Sequence, residues 1–334
     1  MHQRAYGACV LFVTVLACSG GSAGPGSPPA LLARTGHAMA YDAGHHAVVL
    51  FGGLGPTAAG GAIEDQRSLW SWNGQGWSLV STGTGGPSPR NTAGLVFDAA
   101  VGRLVVFSGR QGTTPTAQGL ADTWEWNGAA WSPVTGSTPG ARVHFAIAYD
   151  AGRLRTVLYG GFDPSHGTDL QDVWERNGSV WGTTGVMGRD STFAPVAVYD
   201  ATAAVTWIFV SRTTDRTMLT YAWNGDSLHL ANGAGPALTG YAAAPLVAAS
   251  GALVFGGSDG VTLLADTWRW DGSTWTKLAP STAPPGRIGH AMALDAARGK
   301  VVLYGGETQA GPLSDTWEFD GTTWTHVAAA PPAP

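Results

Sequence analysis

Short apolar runs separated by small, turn-forming residues recur along the chain. One kind of run begins at an arginine and ends at an aspartate eight residues later, as in "RTGHAMAYD" from Arg34, "RNTAGLVFD" from Arg90, "RVHFAIAYD" from Arg142 and "RIGHAMALD" from Arg287. A second kind is rich in β-branched residues and ends in two small residues, as in "VVLFGG" and "VVLYGG". Runs of this length and composition predict β-strands rather than helices.

A tryptophan-rich phrase follows each of these runs after a loop of variable length. Its copies begin at residues 68, 122, 172, 219, 266 and 315 and read "SLWSWNGQGW", "DTWEWNGAAW", "DVWERNGSVW", "LTYAWNGDSL", "DTWRWDGSTW" and "DTWEFDGTTW". An Asn-Gly or Asp-Gly pair between apolar residues is a strong hairpin signal and predicts a type I′ turn, in which both residues have positive φ. Each phrase therefore predicts two further strands.

These segments define a unit of four strands that repeats about every 50 residues. We name its strands A, which starts at the arginine, B, which ends in the small pair, and C and D, which flank the Asn-Gly or Asp-Gly turn. Four-stranded antiparallel units at this period are typical of propeller blades. The sequence predicts an all-β, six-bladed propeller over residues 34–328. Every unit is complete, so we expect the ring to close without a shared strand.

The small pair, the aromatic residue two strands later and the closing tryptophan together resemble the kelch repeat, which also builds the central domain of galactose oxidase. The resemblance covers residues 34–328 and implies a kelch-type β-propeller. Blade 4 departs from the pattern, because Val210-Ser211 replaces the glycine pair, Leu228 replaces the closing tryptophan and Thr192 replaces the arginine. Blade 5 also lacks the arginine.

Tryptophan is unusually abundant, and 14 of the 15 tryptophans occupy repeated strand positions, Trp207 being the exception. Residues that recur at equivalent positions of every blade are suited to filling the space between twisted sheets. We therefore interpret the tryptophans as packing residues. The alternative is that some of them are platforms on which a sugar stacks.

Antiparallel strand order places two sets of connections at opposite ends of the propeller. The A–B and C–D turns are short and uniform, and they share the end that we call the bottom. The B–C loops, which vary in length and sequence, share the top with the starts of strand A. Variable loops on a regular scaffold commonly carry binding residues, so we predict a ligand-binding surface on the top face.

Four arginines at the starts of strand A are expected near the rim of the central channel: Arg34, Arg90, Arg142 and Arg287. The resemblance implies that they line a binding surface, and guanidinium groups suit carboxylates and phosphates. Glu64 and Glu307 from the B–C loops complete the predicted ligand-binding set. The alternative is that each arginine pairs with a loop acid and ties the blades together; those acids are Glu64, Asp65, Asp163, Asp259 and Glu307.

His37 and His290 occupy the same position of strand A in the first and last blades, which become neighbours when the ring closes. Two imidazoles there, with His144 from blade 3, are weak candidates for a metal site. Gly-His is common at this position in kelch repeats, so we favour histidines held by hydrogen bonds and predict no metal and no cofactor.

The resulting functional prediction is a non-catalytic binding module for a protein or for an anionic or carbohydrate ligand. The alternative is a carbohydrate-active enzyme of the sialic acid mutarotase type, a kelch propeller that needs only arginines and acids at the channel mouth, here Arg34, Arg287, Glu64 and Glu307. A copper radical oxidase like galactose oxidase is excluded, because it needs a tyrosine crosslinked to a cysteine. The only cysteines, at positions 9 and 18, precede the predicted propeller.

Composition and the start of the chain indicate where the protein acts. The net charge is −5 and there are only two lysines, which argues against nucleic acid as a partner. Residues 1–17 resemble a secretion signal, and "VLAC" resembles a bacterial lipobox, which predicts lipidation of Cys18; an ordinary signal cut at "GSA" is the alternative. A flexible tether over 18–33 and a Pro/Ala tail over 329–334 complete the prediction of an exported monomer, held at the outer membrane or elsewhere in the cell envelope or periplasm only by its lipid.

Overall fold

The computed structural model describes residues 29–57, 62–112, 117–188, 192–246 and 250–327, and all regular structure in these ranges is β-strand. Most strands belong to six four-stranded antiparallel sheets, and each sheet is built from consecutive segments of the chain in the order A–B–C–D. Strand A of each sheet contacts strand A of the next, and the first contacts the last. The sheets therefore form a closed six-bladed propeller, which confirms the predicted fold class.

The strand bounds follow the repeat. Blade 1 contains Ala38–Asp42, Ala47–Phe51, Leu69–Trp72 and Trp77–Ser81. Blade 2 contains Gly94–Asp98, Arg103–Phe107, Thr123–Trp126 and Trp131–Val134. Blade 3 contains Ala146–Asp150, Arg155–Asp163, Thr168–Asn177 and Val180–Met187. Blade 4 contains Thr192–Asp200, Val205–Arg212, Met218–Trp223 and Leu228–Asn232. Blade 5 contains Ala242–Pro245, Ala252–Phe255, Thr267–Trp270 and Trp275–Leu278. Blade 6 contains Ala291–Asp295, Lys300–Tyr304, Thr316–Phe319 and Trp324–Val327.

Three of the B–C loops on the top face also contain a short two-stranded ribbon. These ribbons pair Leu54–Pro56 with Ile63–Asp65, Arg110–Gln111 with Gln118–Gly119, and Glu307–Thr308 with Gly311–Pro312. None of the described segments forms a helix that is long and apolar enough to cross a bilayer. The signal segment 1–17, Cys18 and the tail 329–334 lie outside the described residues.

Burial along the strands explains the two kinds of apolar run. Strand B is covered by neighbouring blades on both faces, so all five residues of Ala47–Phe51 are buried. Strand D lies at the outer edge, and Trp77–Ser81 alternates between half-buried and exposed residues. A strand that is buried on both faces reads as a continuous apolar run, whereas an edge strand alternates.

The C–D turns differ from the predicted type I′ hairpin. In blade 2, Trp126 pairs with Trp131, so four residues form the loop instead of two. Gly128 has a positive φ of 96°, but Asn127 does not have a positive φ. The Asn127 side-chain oxygen instead accepts hydrogen bonds from the backbone N–H groups of Ala129 and Ala130. The same Asx turn forms in blades 1, 4, 5 and 6, where Asn or Asp also precedes the glycine. In blade 3, Asn177 pairs with Val180 instead, so the loop has two residues.

The closing tryptophan of a blade packs against the blade before it. Trp181, Trp275 and Trp324 donate their indole N–H to threonines of strand C of the preceding blade, namely Thr123, Thr220 and Thr267, at 3.0–3.1 Å. Trp77 of blade 1 makes the same bond with Thr316 of blade 6. One side chain thus fills the space between two blades and also satisfies its own polar atom there.

Two seams lack this bond for different reasons. Between blades 3 and 4, Leu228 replaces the tryptophan and Val173 replaces the threonine, so both partners are apolar. Between blades 1 and 2, Leu69 stands at the threonine position, and the buried indole nitrogen of Trp131 has no hydrogen-bond partner among the residues that the structure describes. The sequence departure in blade 4 is therefore matched by its neighbour, whereas the one in blade 1 is not.

The ring closes without a shared strand, as predicted from the complete repeats. The N–H of Gly36 donates to the carbonyl of Gly289, and the N–H of Gly306 donates to the carbonyl of Arg34, so blades 1 and 6 are joined directly. Tyr304 of blade 6 donates its hydroxyl to the carbonyls of residues 31 and 32 at 3.2 and 3.1 Å. The last residues of the predicted tether thus contact the propeller at its closing seam.

We expect the indole hydrogen bond to be measurable by comparing two tryptophans. Trp324→Phe removes a bonded N–H, whereas Trp131→Phe removes the same atoms around an N–H that has no partner. Because a lost or unsatisfied buried hydrogen bond costs about 1–3 kcal/mol, Trp324→Phe should lower the free energy of unfolding by that much more than Trp131→Phe. Urea denaturation of both variants measures the difference, and equal losses would contradict the assigned role of the bond.

Candidate functional site

The top face is formed by two rings of equivalent positions. The first ring follows the small pair of strand B and consists of Leu54, Arg110, Phe162, Arg212, Ser258 and Glu307. The second ring lies two residues after the arginine position, has positive φ in all six blades, and consists of Gly36, Thr92, His144, Ala194, Gly240 and Gly289. Only small residues occupy this second ring except in blade 3, where His144 stands. In these two rings of the top face, the large and charged side chains therefore come from the first ring and from His144.

The predicted arginines of blades 2, 3 and 6 are buried inside their blades and do not line an open surface. Each guanidinium binds both oxygens of an aspartate that begins the tryptophan-rich phrase, and its Nη1 also donates to a carbonyl of the small pair. The pairs are Arg90 with Asp122, Arg142 with Asp172, and Arg287 with Asp315, with closest distances of 2.7–2.8 Å. The side chains of Arg90 and Arg287 are 0% exposed.

The prediction of an arginine-lined binding surface must be corrected for these residues. Their donors are already used by a carboxylate 28–32 residues further along the chain. The acids also differ from the loop acids considered in the sequence. The same aspartates accept the indole N–H of the tryptophan two residues later, so they hold strands A, B and C of one blade together. Arg34 is buried as well, but no aspartate of the described residues pairs with it.

The two candidate metal-binding histidines do not converge. His290 of blade 6 packs against blade 5, where its Nε2 lies 3.2 Å from the carbonyl oxygen of Phe255. His37 of blade 1 packs against blade 6, with its ring edge against Tyr304. Each histidine therefore faces the preceding blade. Within the described ranges, no group of three histidine, cysteine, aspartate or glutamate residues can hold a metal ion.

Burial keeps these histidines neutral. It lowers the pKa of His290 to about 3 and holds the pKa of His37 well below its ordinary value, and nearby Arg287 and Arg34 act in the same direction. The Nε2 of His290 lies within hydrogen-bond distance of a carbonyl, which fits the hydrogen-bonded interpretation that the sequence favours. Neither ring nitrogen of His37 has a hydrogen-bond partner among the described residues, so that interpretation does not extend to His37.

A polar cluster that the sequence did not single out lies on the top face at blades 1–3. Arg110 is half-buried and donates from Nε to the Asn91 side-chain oxygen at 3.1 Å. Asp65 accepts from the Asn91 amide and from the N–H of Gly112, so both of its oxygens are engaged. No carboxylate oxygen of the described chain lies within 4.0 Å of the Arg110 guanidinium. Among the described residues, Asn91 is thus the side-chain partner of Arg110, and the Nη donors of Arg110 have none.

His144 lies beside this cluster and faces the channel mouth. Its side chain is exposed, yet the surrounding protein is dense enough to lower its pKa to about 4, and the positive charge of Arg110 adds to the shift. A group that is both solvent-accessible and closely surrounded fits the wall of a narrow opening. Burial likewise lowers the pKa of Arg110, although Asp65 opposes this effect.

The predicted acids are placed differently from one another. Glu64 is exposed and lines an open cavity of about 350 Å³ between blades 1 and 2, together with Asp65 and Gly112 of the polar cluster. Glu307 is half-buried at the blade 6 position of the first ring, and burial raises its pKa. The predicted set of Arg34, Arg287, Glu64 and Glu307 is thus not assembled into one site.

A larger cavity of about 650 Å³ lies at the bottom, between blades 3 and 4, where no binding surface was predicted. Arg155, Asn177 and Asp226 contribute polar groups, and Glu175 is already paired with Arg153. Both cavities are open, but the polar groups of the top cluster are joined to one another by hydrogen bonds, so we take the top cluster as the better-organised candidate site. In the sequence, Arg110 could have been found as an arginine that follows a small pair and has no aspartate 28–32 residues further along the chain.

Comparison with known proteins supports the fold but does not indicate the chemistry of the site. The chain matches the solved structure of YjhT with a TM-score of 0.65 at 14% sequence identity, and the match covers 90% of this chain and 99% of that chain. This similarity extends over a whole propeller. No protein-family model matches the sequence, and no curated protein matches it.

We expect the aspartate partners to be essential for stability. Asp172→Ala leaves the guanidinium of Arg142 buried without its carboxylate, and breaking a buried pair in this way costs about 3–5 kcal/mol. The double variant Arg142→Met/Asp172→Ala removes both charges and should be more stable than Asp172→Ala alone. Chemical denaturation tests this order, and a single variant as stable as the wild type would show that the pair is not a structural tie.

We also expect stability to fall in acid because of the buried histidines. In the unfolded chain a histidine binds a proton near pH 6.5, whereas His290 in the folded protein does so only near its pKa of about 3. The unfolded state therefore binds more protons between these values, and each histidine removes up to about 1.4 kcal/mol per pH unit. His290→Gln should show a shallower loss of melting temperature between pH 6.5 and 4.5; an unchanged slope would contradict this assignment.

Proposed function

We propose that the protein is a non-catalytic binding module whose top face captures an anionic or carbohydrate ligand, or a protein that presents such a group. The observation that carries this proposal is the guanidinium of Arg110 on the top face, which has no carboxylate partner among the described residues. The arginines of blades 2, 3 and 6 that sit inside the sheets are neutralised by aspartates, whereas Arg110 is positioned by a neutral amide, that of Asn91.

The chemistry of the cluster favours an anion with planar oxygens. A partly desolvated guanidinium can donate two parallel hydrogen bonds to a carboxylate or phosphate. Because the pKa of His144 is about 4, its imidazole is neutral near pH 7 and can exchange hydrogen bonds with sugar hydroxyls without adding charge. The adjoining cavity of about 350 Å³ gives such a ligand room on the blade 1 side.

The setting of this module is also part of the proposal. The repeated small pairs and closing tryptophans support a propeller of the kelch type. The "VLAC" segment supports an exported, monomeric lipoprotein that is attached through Cys18 and has no nucleic acid partner. A binding module held at a membrane surface by a lipid would present its top face to ligands in the cell envelope.

A carbohydrate-active enzyme is the second candidate, and one observation favours it. No hydrogen bond or ion pair engages the Glu307 carboxylate within the part of the chain that the structure describes, and burial raises its pKa. A half-buried carboxyl with a raised pKa can act as a general acid or base in opening a sugar ring. Its position in the same ring as Arg110 would place both groups around one opening.

Binding to a panel of sugars tests the proposal. N-acetylneuraminic acid and glucuronic acid are compared with neutral glucose by saturation-transfer NMR, using the wild type, Arg110→Ala and the bottom-face control Arg155→Ala. We expect the acidic sugars to bind, Arg110→Ala to lose at least tenfold in affinity, and Arg155→Ala to bind like the wild type. Equal losses in both variants, or no preference for acidic sugars, would contradict a site at Arg110.

The same samples distinguish the enzyme. Anomer exchange of each reducing sugar is followed by NMR with the wild type and with Glu307→Gln. Exchange at the uncatalysed rate supports the binding module. Acceleration by the wild type that is lost in Glu307→Gln would contradict the binding module and support the enzyme.

A further inference from the structure

The repeat builds one constellation three times, and its parts are identical in each case. In blades 2, 3 and 6, the arginine donates from Nε to a carbonyl two residues earlier and from Nη1 to a carbonyl of the small pair. The aspartate then accepts from Nη1 and Nη2 of the arginine, and its Oδ2 also accepts an indole N–H. The carboxylate is thus the acceptor between a guanidinium and an indole.

Blades 4 and 5 show that the repeat balances these charges when a part is missing. Blade 4 has neither member, because Thr192 and Leu219 stand at the two positions. Blade 5 keeps Asp266 but has Leu238 at the arginine position, and Asp266 pairs instead with Lys277 at 2.7 Å. In both blades a change at one position is matched by a change elsewhere.

Blade 1 keeps the arginine but loses the carboxylate. Arg34 donates from Nε to the carbonyl of residue 32 at 3.2 Å and from Nη1 to the carbonyl of Gly52 at 3.0 Å, so its guanidinium lies as in the other blades. Ser68 stands at the aspartate position, and its hydroxyl accepts the indole N–H of Trp70 at 2.9 Å. No carboxylate of the described residues lies within 4.0 Å of Arg34, which is 3% exposed.

We propose that the place of the missing carboxylate in blade 1 is a binding site for a compact monovalent anion with the geometry of a carboxylate, held by Arg34 and Ser68. This inference goes beyond the proposed function, because the site lies inside blade 1 and does not involve Arg110. The anion would accept from Nη1 and Nη2 of Arg34, as the aspartates do. The Ser68 hydroxyl, which already accepts from Trp70, still has its own proton to donate.

The site is within reach of solvent. The aspartate side chains at the equivalent positions are 41%, 20% and 20% exposed in blades 2, 3 and 6. Ser68 itself is half-buried. A small anion can therefore enter where a carboxylate would otherwise be supplied by the chain, whereas a bulky one would meet the strands around it.

The electrostatics of Arg34 agree with this geometry. Burial lowers the pKa of Arg34 to about 10, and Tyr304 acts in the opposite direction. The cations of blades 2, 3 and 6 are each compensated by a carboxylate, so Arg34 is the buried guanidinium that a bound anion would stabilise most.

Formate is the probe, because it is a carboxylate without a side chain. The melting temperature of the full chain is measured in chloride-free buffer with increasing sodium formate, for the wild type, Ser68→Asp, Ser68→Asn and Arg110→Ala. We expect formate to raise the melting temperature of the wild type by about 2–4 °C. Ser68→Asp should already melt higher without formate and should not respond, because it carries the carboxylate of the other blades.

The remaining variants make the result specific. Ser68→Asn fills the same space without charge and should neither melt higher nor respond. Arg110→Ala should respond like the wild type, which separates this site from the proposed ligand site. As a direct measurement, the wild type should broaden the ¹³C NMR line of labelled formate, and Ser68→Asp should not. Equal formate responses or equal broadening in the wild type and Ser68→Asp would overturn the proposal.

Discussion

The ring depends on a buried indole that bonds across the boundary between two blades. A four-stranded sheet with apolar residues on both faces cannot bury them alone, so each blade needs its neighbours. The closing tryptophan meets this need with a large apolar surface, and its N–H requires an acceptor at a fixed position in the preceding blade. Trp77 and Thr316 make that contact between the first and last blades, so the interaction that joins neighbours also closes the circle.

Charged residues of the repeat also serve more than one contact. Arg90, Arg142 and Arg287 tie their own blades together, because each meets an aspartate within its blade and that aspartate also accepts an indole N–H. The two sites proposed above lie where the repeat is broken: at Arg110, which lies outside the constellation, and at Arg34, whose aspartate is replaced by Ser68. The departures from an internal repeat are therefore the first places at which to test for function.

The fold could be predicted because strand length, turn residues and period are local properties of the sequence. The burial of Arg90, Arg142 and Arg287 could not be read from their own positions, because spacing does not show which way a side chain points. Their partners were nevertheless visible: an aspartate two residues before tryptophan occurs in each blade that has the paired arginine. The type I′ prediction was wrong because the Asn127 side chain competes for the loop backbone and allows a longer turn. His144 was considered in the sequence only as a metal ligand, and its place beside Arg110 could be recognised only after the blades were arranged in a ring.

Closure by whole blades has a consequence for how such a chain can be rearranged. Because no strand is completed by the opposite end of the polypeptide, every seam of the circle is equivalent to the natural one in connectivity. Joining the present ends and opening the chain at another seam would preserve every sheet, so circular permutants should be tolerated. The boundary between blades 3 and 4, where Leu228 faces Val173 without a polar bond, offers the cleanest place to move the termini. The same independence would let the circle gain or lose a blade by duplication or deletion of one coding segment.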